Sequence, residues 1–117
     1  MNDIRLSPNF TLAEFACRGD GSVKIDPELV RKLQQLRDRV GKPVVITSGY
    51  RTPAYNKTVG GAAQSQHLYG KAADIIVEGM SPATVANHAE AVGFGGIGRY
   101  NTFTHVDVRA IKARWSG

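Results

Sequence analysis

The sequence predicts an α+β domain in which helices pack on one face of a small, largely antiparallel sheet. Two segments carry apolar residues at helical spacing between an N-terminal cap and a closing glycine. Short β-branched segments lie between and after them without the regular helix–strand alternation of a parallel sheet. The last two of these segments flank Asn101–Thr102, which suits a hairpin. At 117 residues, the chain is expected to form one domain, residues 1–117.

Helix caps mark the first half of the chain. Thr11–Glu14 has the capping-box pattern and predicts a short helix that begins at Thr11. A longer helix is predicted after Asp26, with Pro27 in its first turn and Gly41 at its end. The apolar face of this helix, which is expected to cover the sheet, consists of Leu29, Leu33, Leu36 and Val40.

Two strands and a long loop follow. The segment Pro43–Thr47 is β-branched and continuous in apolar residues, which predicts a buried strand. Residues 48–66 are polar and rich in glycine and alanine, and we expect a long loop with one helical turn. A loop of that length inside a compact domain is usually functional. A second strand is predicted over Ala73–Val77.

The last third of the chain predicts a helix and a hairpin. Ser81–Pro82 caps the helix, which ends at Gly93 and carries a face of small and branched apolar residues. Segments 96–100 and 103–109 form the hairpin, and the basic tail contains Trp115. With helices on one side of the sheet, a functional site is expected on the other.

Composition narrows the class of protein. An apolar fraction of 42% and a charged fraction of 21% are ordinary for a globular protein. The lone Cys17 excludes an internal disulfide and a multi-cysteine metal site, and we expect a small buried thiol. The net charge of +5 favours anionic partners, either nucleic acid or an anionic cell-wall polymer. Because the basic residues are scattered and no nucleic-acid motif is present, no nucleic-acid partner is predicted.

The N-terminal segment Met1–Pro8 lacks the apolar run of a signal peptide, and no segment is long enough to span a bilayer. The expectation is therefore synthesis in the cytoplasm, without membrane insertion, and delivery by another route if the substrate lies outside the membrane. Because no strong apolar stripe remains after the core is assigned, a monomer is expected.

Two histidines and an aspartate form the most informative pattern. His67 and Asp74 flank Gly70, where the chain is expected to bend, and His105 lies on the last predicted strand. Neutral imidazoles and a carboxylate suit zinc, and three protein ligands leave a fourth position for water. A surface loop histidine and a strand-entry carboxylate are the alternatives for His67 and Asp74. However, a lone carboxylate before the apolar run 75–77 is costly unless it is paired or binds a metal.

Strand alternation places His105, Asp107 and Arg109 on one face of the last strand. This pattern fits a ligand-bearing strand about as well as the exposed polar face of a half-buried strand. Elsewhere, Arg51 offers a planar fork of donors for a carboxylate or carbonyl, or forms an ordinary surface ion pair. His88 lies in a predicted helix and is taken as a surface residue.

Several of these motifs together resemble the zinc D-alanyl-D-alanine peptidase family. They are Ser48-Gly49-Tyr50-Arg51, Ser65-Gln66-His67, Gly70-Lys71-Ala72-Ala73-Asp74, His105-Val106-Asp107 and the N-terminal segment 9–15. The similarity is greatest to compact single-domain members among bacterial cell-wall enzymes and phage lysins, and it spans nearly the whole chain. The fold it implies is the small α+β domain shared with hedgehog signalling domains.

The resemblance also implies roles for individual residues. His67, Asp74 and His105 match the zinc ligands, and Arg51 matches the arginine that polarises the scissile carbonyl and stabilises the developing oxyanion. Ser65 matches a substrate-binding residue. Gln66 and Tyr100 complete the predicted substrate-binding set.

One position departs from the family pattern. Relatives carry a glutamate, the general base, three residues before the last zinc histidine, and here that position is Thr102. Asp107, the nearest carboxylate on the correct strand face, is the candidate catalytic base. It could instead orient His105 or pair with Arg51.

The leading functional hypothesis is a zinc metallopeptidase that hydrolyses an amide bond in peptidoglycan stem peptides, as a D,D-carboxypeptidase or an endopeptidase of the endolysin type. The alternative is a catalytically impaired, zinc-stabilised module that binds the cell wall or forms part of a phage particle. The Thr102 departure supports this alternative. A nucleic-acid binder is supported by charge alone.

Overall fold

The computed structural model describes residues 4–117. The first three residues of the segment examined for a signal peptide lie outside the described residues. The α-helices are α1 (Pro27–Val40), α2 (Pro53–Thr58) and α3 (Pro82–Val92), and 3-10 helices span Leu12–Phe15 and Gln66–Tyr69. The strands are β1 (Arg5–Ser7), β2 (Phe10–Thr11), β3 (Val44–Ser48), β4 (Ala72–Val77), β5 (Gly96–Arg99), β6 (Thr104–Asp107) and β7 (Ala113–Ser116).

The predicted caps begin and end the helices. The Asp26 carboxylate accepts a hydrogen bond from the Glu28 backbone N–H at 2.8 Å, and Gly41 closes α1 with a φ of 67°. Before the 3-10 helix at residues 12–15, the Glu14 carboxylate accepts a hydrogen bond from the Thr11 backbone N–H at 2.7 Å. These bonds satisfy N–H groups that the first helical turn leaves without backbone partners.

The main sheet has the strand order β3-β4-β6-β5-β7. Its neighbours are antiparallel except β5 and β7, which are parallel. A separate antiparallel pair joins β1 and β2. The predicted α+β class, the largely antiparallel sheet and the hairpin of β5 and β6 are therefore confirmed. β7 lies within the segment that the sequence indicated only as a basic tail.

A single hydrophobic core lies between the sheet and the helices α1 and α3. Leu29, Leu33 and Leu36 of α1 are fully buried in it, together with inward-facing strand residues such as Ile75 and Val106. Because side chains alternate across a strand, Asp74 and His105 point to the opposite face of the sheet. The helices thus leave one sheet face for the functional site.

The strand β3 differs from its prediction. Val44 and Ile46 are buried, but Val45 is 52% exposed, beside Ile76 of β4 at 40%. β3 is an edge strand, and its outward side chains face away from the helices that cover the other side of the sheet. A continuous apolar run therefore belongs here to a half-buried strand rather than to a fully buried one.

Two other sequence features have their expected structure. The thiol of Cys17 is buried, with 2% of the residue exposed. Within residues 4–117, no helix combines the length and the apolar character needed to cross a membrane.

Candidate metal centre and adjoining cleft

The site lies along one row of cross-strand neighbours that runs through all five strands of the main sheet. Ser48 pairs with Asp74, Asp74 with His105, His105 with Gly98, and Gly98 with Trp115. Since directly paired residues point to the same face of a sheet, the carboxylate of Asp74 and the imidazole of His105 are brought together on the face without the core.

His67 reaches this row from the 3-10 helix before β4. Ser65 caps that helix by accepting a hydrogen bond from the His67 backbone N–H at 3.2 Å, and the Arg51 backbone N–H donates to the His67 carbonyl at 3.0 Å. Gly70 ends the helix with a φ of 70°, and a Cβ there would lie 2.5 Å from the Lys24 carbonyl oxygen. The left-handed turn and the close backbone approach both require glycine at this position.

Three ligand atoms converge at this point. The Asp74 Oδ1 atom lies 3.2 Å from His67 Nε2 and 3.1 Å from His105 Nδ1. All three ligand atoms lie within 4.8 Å of one another, and all three residues are buried. Ligand atoms around a tetrahedral zinc ion are separated by about 3.3 Å, so the spacing suits such an ion.

The remaining nitrogen of each imidazole already has an acceptor. His67 Nδ1 lies 2.7 Å from the Gly49 carbonyl oxygen, and His105 Nε2 lies 2.7 Å from Asp107 Oδ2. In the neutral imidazoles that a metal ion requires, these nitrogens would donate their protons outward, and His67 Nε2 and His105 Nδ1 would present lone pairs to a cation beside Asp74 Oδ1. Outward hydrogen bonds of this kind fix the tautomer and ring orientation of metal-ligating histidines, so the donor set fits a divalent cation such as zinc.

The buried ionisable side chains of this cluster shift one another's pKa values. Burial acts to raise the pKa of Asp74, but hydrogen bonds from His105 and His67 outweigh it and hold that pKa well below its usual range. Burial acts to lower the pKa of His105, but hydrogen bonds to Asp107 and Asp74 outweigh it and raise that pKa. The neighbouring imidazoles thus favour the ionised form of the buried Asp74 carboxylate, which is the form that binds a cation.

Arg51 lies on the other side of Asp74. Its Nη2 is 3.3 Å from Asp74 Oδ2, its Nε donates to Ser48 Oγ at 3.2 Å, and its Nη1 donates to Asn56 Oδ1 at 3.2 Å. Asn56, a buried residue of α2, in turn donates to the Ala62 carbonyl at 2.8 Å. Sequence reasoning missed Asn56, since an asparagine in a polar loop carries no pattern that distinguishes it from a surface residue.

Asp107 lies behind His105 rather than in the cleft. Its side chain has 0% exposure, accepts from His105, and forms two bonds with the Arg109 guanidinium at 2.9 and 2.6 Å. A Cβ on Gly96 would lie 2.3 Å from the Asp107 carboxylate, so glycine makes room for it. These contacts favour the role in which Asp107 orients His105, while its role as a base remains a prediction. No hydrogen bond joins Asp107 to Arg51 within the described residues.

A cleft of about 410 Å³ opens over the three candidate ligands. The predicted substrate-binding residues Arg51, Ser65, Gln66 and Tyr100 all line it. Thr102 is not among its lining residues: it lies in the turn between β5 and β6 and lines a separate small cavity.

Aromatic side chains form one wall of the cleft. The Tyr100 ring stacks on Phe103 at 4.4 Å between centroids, and its hydroxyl accepts a hydrogen bond from Trp115 Nε1 at 2.8 Å. The Trp115 indole also packs against His105, with ring centroids 5.0 Å apart. Sequence reasoning did not assign Trp115 to the site, because it lies in the basic tail and reaches the cleft only through the pairing of β7 with β5.

Arg109 and His88 lie outside the cluster of candidate ligands. Arg109 lines the cleft, as its shared strand face with His105 indicated. His88 lies away from the cleft on α3, where its Nδ1 accepts from Arg39 Nε at 3.1 Å.

Comparisons with known proteins identify relatives of this chain. The chain is 35% identical over 114 residues to the zinc D-Ala-D-Ala carboxypeptidase of Streptomyces albus G, an alignment that covers 84% of this chain and 45% of that protein. It is 32% identical over 104 residues to the probable peptidoglycan L,D-endopeptidase MepK of Haemophilus influenzae, covering 80% of this chain and 55% of the relative. Against the peptidoglycan L,D-endopeptidase MepK of Escherichia coli K12, identity is 35% over 92 residues, covering 71% and 50%.

The chain thus spans about half the length of the curated relatives that it matches. The model of the peptidase M15 family matches residues 8–107, which include every candidate metal ligand and Arg51. On the strength of that match, which covers most of the chain and contains the converging His67, Asp74 and His105, this protein belongs to the peptidase M15 family.

Proposed function

We propose that this chain is a zinc-dependent peptidase that hydrolyses an amide bond in peptidoglycan stem peptides. The observation that carries the proposal is the convergence of one carboxylate oxygen and two imidazole nitrogens, with the opposite nitrogen of each imidazole already hydrogen-bonded. This donor set suits zinc, and the Streptomyces relative is a zinc D-Ala-D-Ala carboxypeptidase.

When bound, zinc polarises a carbonyl oxygen and lowers the pKa of a water molecule towards neutrality. The protein then has to hold the amide and stabilise charge on its oxygen. Arg51 is placed for this task, because it lines the cleft and its contact with Asp74 fixes the guanidinium. A guanidinium has five N–H groups, and the three recorded bonds leave donors for a carbonyl that gains negative charge.

The relatives and the cleft together support the substrate class. The named relatives act on D-Ala-D-Ala termini or on peptidoglycan L,D bonds. In this chain, Ser65, Gln66 and Tyr100 offer hydroxyl and amide groups along the cleft, as a peptide backbone requires. The net charge of +5 favours association with an anionic wall polymer, so we place the site of action at the cell wall.

The groups that move protons differ from the family pattern. Asp107 is hydrogen-bonded to His105 and Arg109 and is fully buried, so we assign it the positioning of His105. Among the described residues that line the cleft, Asp74 is the only carboxylate. This observation favours a second candidate function, in which the metal centre stabilises a module that binds stem peptides without cleaving them.

Mass spectrometry of purified peptidoglycan fragments separates the two functions. The zinc-loaded protein is incubated with the fragments, with and without a chelator. Loss of a defined residue or cross-link that the chelator abolishes is the expected result, and it identifies the bond cleaved. Intact fragments, from protein shown to hold stoichiometric zinc, would contradict the peptidase and support the binding module.

A further inference from the structure

We infer that Arg109 binds a carboxylate group of the substrate next to the bond that is cleaved. This inference depends on the proposed function, because it takes the ligand of the cleft to be a peptide. It assigns to Arg109 a role in substrate specificity that neither the metal centre nor Arg51 provides.

Arg109 lies at the edge of the cleft. The residue follows β6 directly, two positions beyond Asp107, and its side chain lines the cleft with 29% of its area exposed. Its guanidinium carbon lies 5.0 Å from the centre of the Trp115 ring. The charged end is thus held between a buried carboxylate and an aromatic ring at the edge of the cleft.

Asp107 holds the Arg109 guanidinium in one orientation. Its Nε and Nη2 donate to the two oxygens of Asp107 at 2.9 and 2.6 Å, and the Arg109 backbone N–H donates to Asp107 Oδ1 at 3.1 Å. Within residues 4–117, Arg109 Nη1 makes no hydrogen bond. Because Asp107 already holds the guanidinium in place, Nη1 can donate to a ligand without the entropy cost of ordering a mobile arginine.

The charges around the cleft also favour an anionic ligand at Arg109. Arg51, Asp74, His105, Asp107 and Arg109 form a continuous series of contacts, with the two arginines at its ends. With a divalent cation between the arginines, the site carries excess positive charge, and the lining offers no second carboxylate among the described residues. Arg51 is assigned to the amide carbonyl, so Arg109 remains for an anionic group at the other end of the series.

A purely structural arginine is the competing explanation, since Arg109 also neutralises Asp107. Such a residue would affect all ligands equally, whereas a carboxylate-binding residue discriminates between an acid and its amide. The probes are therefore a purified muropeptide with free carboxylates and the same muropeptide after chemical conversion of those groups to carboxamides.

The variants are Arg109→Gln, Arg109→Lys and, as a matched control, Arg99→Gln. Arg99 is a partly exposed arginine of β5 that is not among the lining residues of the cleft. Arg99→Gln changes the net charge by the same amount as Arg109→Gln. A hydrogen bond to a charged group predicts that Arg109→Gln raises KM for the acid on the order of tenfold to a hundredfold, with little change for the amide. Arg109→Lys retains part of the preference, and Arg99→Gln retains all of it.

Two results would overturn the inference. One is an equal loss for acid and amide in Arg109→Gln, and the other is a wild-type protein that does not prefer the acid. Calorimetric binding of the same two probes to the zinc-loaded proteins provides a second readout. If the wild type cleaves neither probe, the proposed function fails, while the acid–amide difference in Kd still decides the role of Arg109.

Discussion

Gly98 of β5 lies directly beneath the indole of Trp115, its partner on β7. A Cβ built on Gly98 would lie 2.5 Å from Trp115 Nε1, closer than side chains can approach. Without a side chain at this position, the indole extends over β5 to contact His105 on the next strand. The glycine therefore allows a C-terminal strand to contribute to a site that is otherwise built from β4, β6 and the preceding loop.

We expect Gly98→Ala to displace Trp115 from the cleft. Since Trp115 is the only tryptophan of the chain, its fluorescence reports the change directly. Emission should move to longer wavelength and become more sensitive to a soluble quencher, with zinc stoichiometry retained. Ile111→Ala, at a residue that is 84% exposed in the same C-terminal segment, is the control. An unchanged spectrum in Gly98→Ala would show that the indole does not depend on this glycine.

The contribution of β7 could not be predicted from sequence. Its residues Ala113–Ser116 are short, basic and partly exposed, so they carry neither the alternation nor the apolar content that indicates a strand. The strand forms because β5 offers a parallel edge, and because Arg114 bonds to Glu90 and to the carbonyls of Phe94 and Gly95. These are long-range contacts, which local patterns do not encode.

We expect His67→Ala to abolish zinc binding and peptide cleavage together. The substitution removes one of three converging donors and leaves the Asp74 carboxylate buried with a single imidazole neighbour. Equilibrium dialysis with metal analysis and the cleavage assay measure the two effects. The control is His88→Ala, which removes the histidine that lies outside the site, and it should bind one zinc ion as the wild type does. Full zinc binding in His67→Ala would contradict the ligand assignment.

Asp107→Asn separates the two roles considered for that residue. If Asp107 orients His105, zinc affinity should fall about 10- to 100-fold, and cleavage should recover at saturating zinc. If it is the base, affinity should stay near that of the wild type and cleavage should remain lost at any zinc concentration. Zinc titration followed by the cleavage assay distinguishes these outcomes. The buried contacts of Asp107 lead us to expect the first.

The pKa of Glu90 reports the attachment of β7 to α3. A hydrogen bond from Arg114 lowers the pKa of Glu90 below its ordinary value of 4.5. Because the folded-state pKa is the lower one, this contact stabilises the fold fully above pH 4.5 and is lost as pH falls through the folded-state pKa. NMR titration of the side-chain carboxyl should show an upward shift of this pKa in Arg114→Gln.

Glu28 is the internal control for that titration. Its pKa is lowered by a hydrogen bond from Arg31, so it should not respond to Arg114→Gln. A Glu90 pKa that is equally unchanged would contradict the contact between α3 and β7.

The candidate ligands illustrate what sequence can predict. His67, Asp74 and His105 lie in short motifs whose residue types suit zinc, and the structure brings all three together. The orienting contacts were less predictable. The Gly49 carbonyl that bonds His67 is a backbone group, and no residue type indicates it. The burial of Asp107 depends on Gly96 in the paired strand, so the motif alone could not distinguish a base from an orienting residue.

The most direct test of the metal centre is diffraction from crystals of the zinc-loaded protein, measured on either side of the zinc absorption edge. We predict one anomalous peak about 2.0–2.2 Å from His67 Nε2, Asp74 Oδ1 and His105 Nδ1. A zinc ion bound elsewhere, or one ligated by Asp107 in place of these atoms, would contradict the assignment.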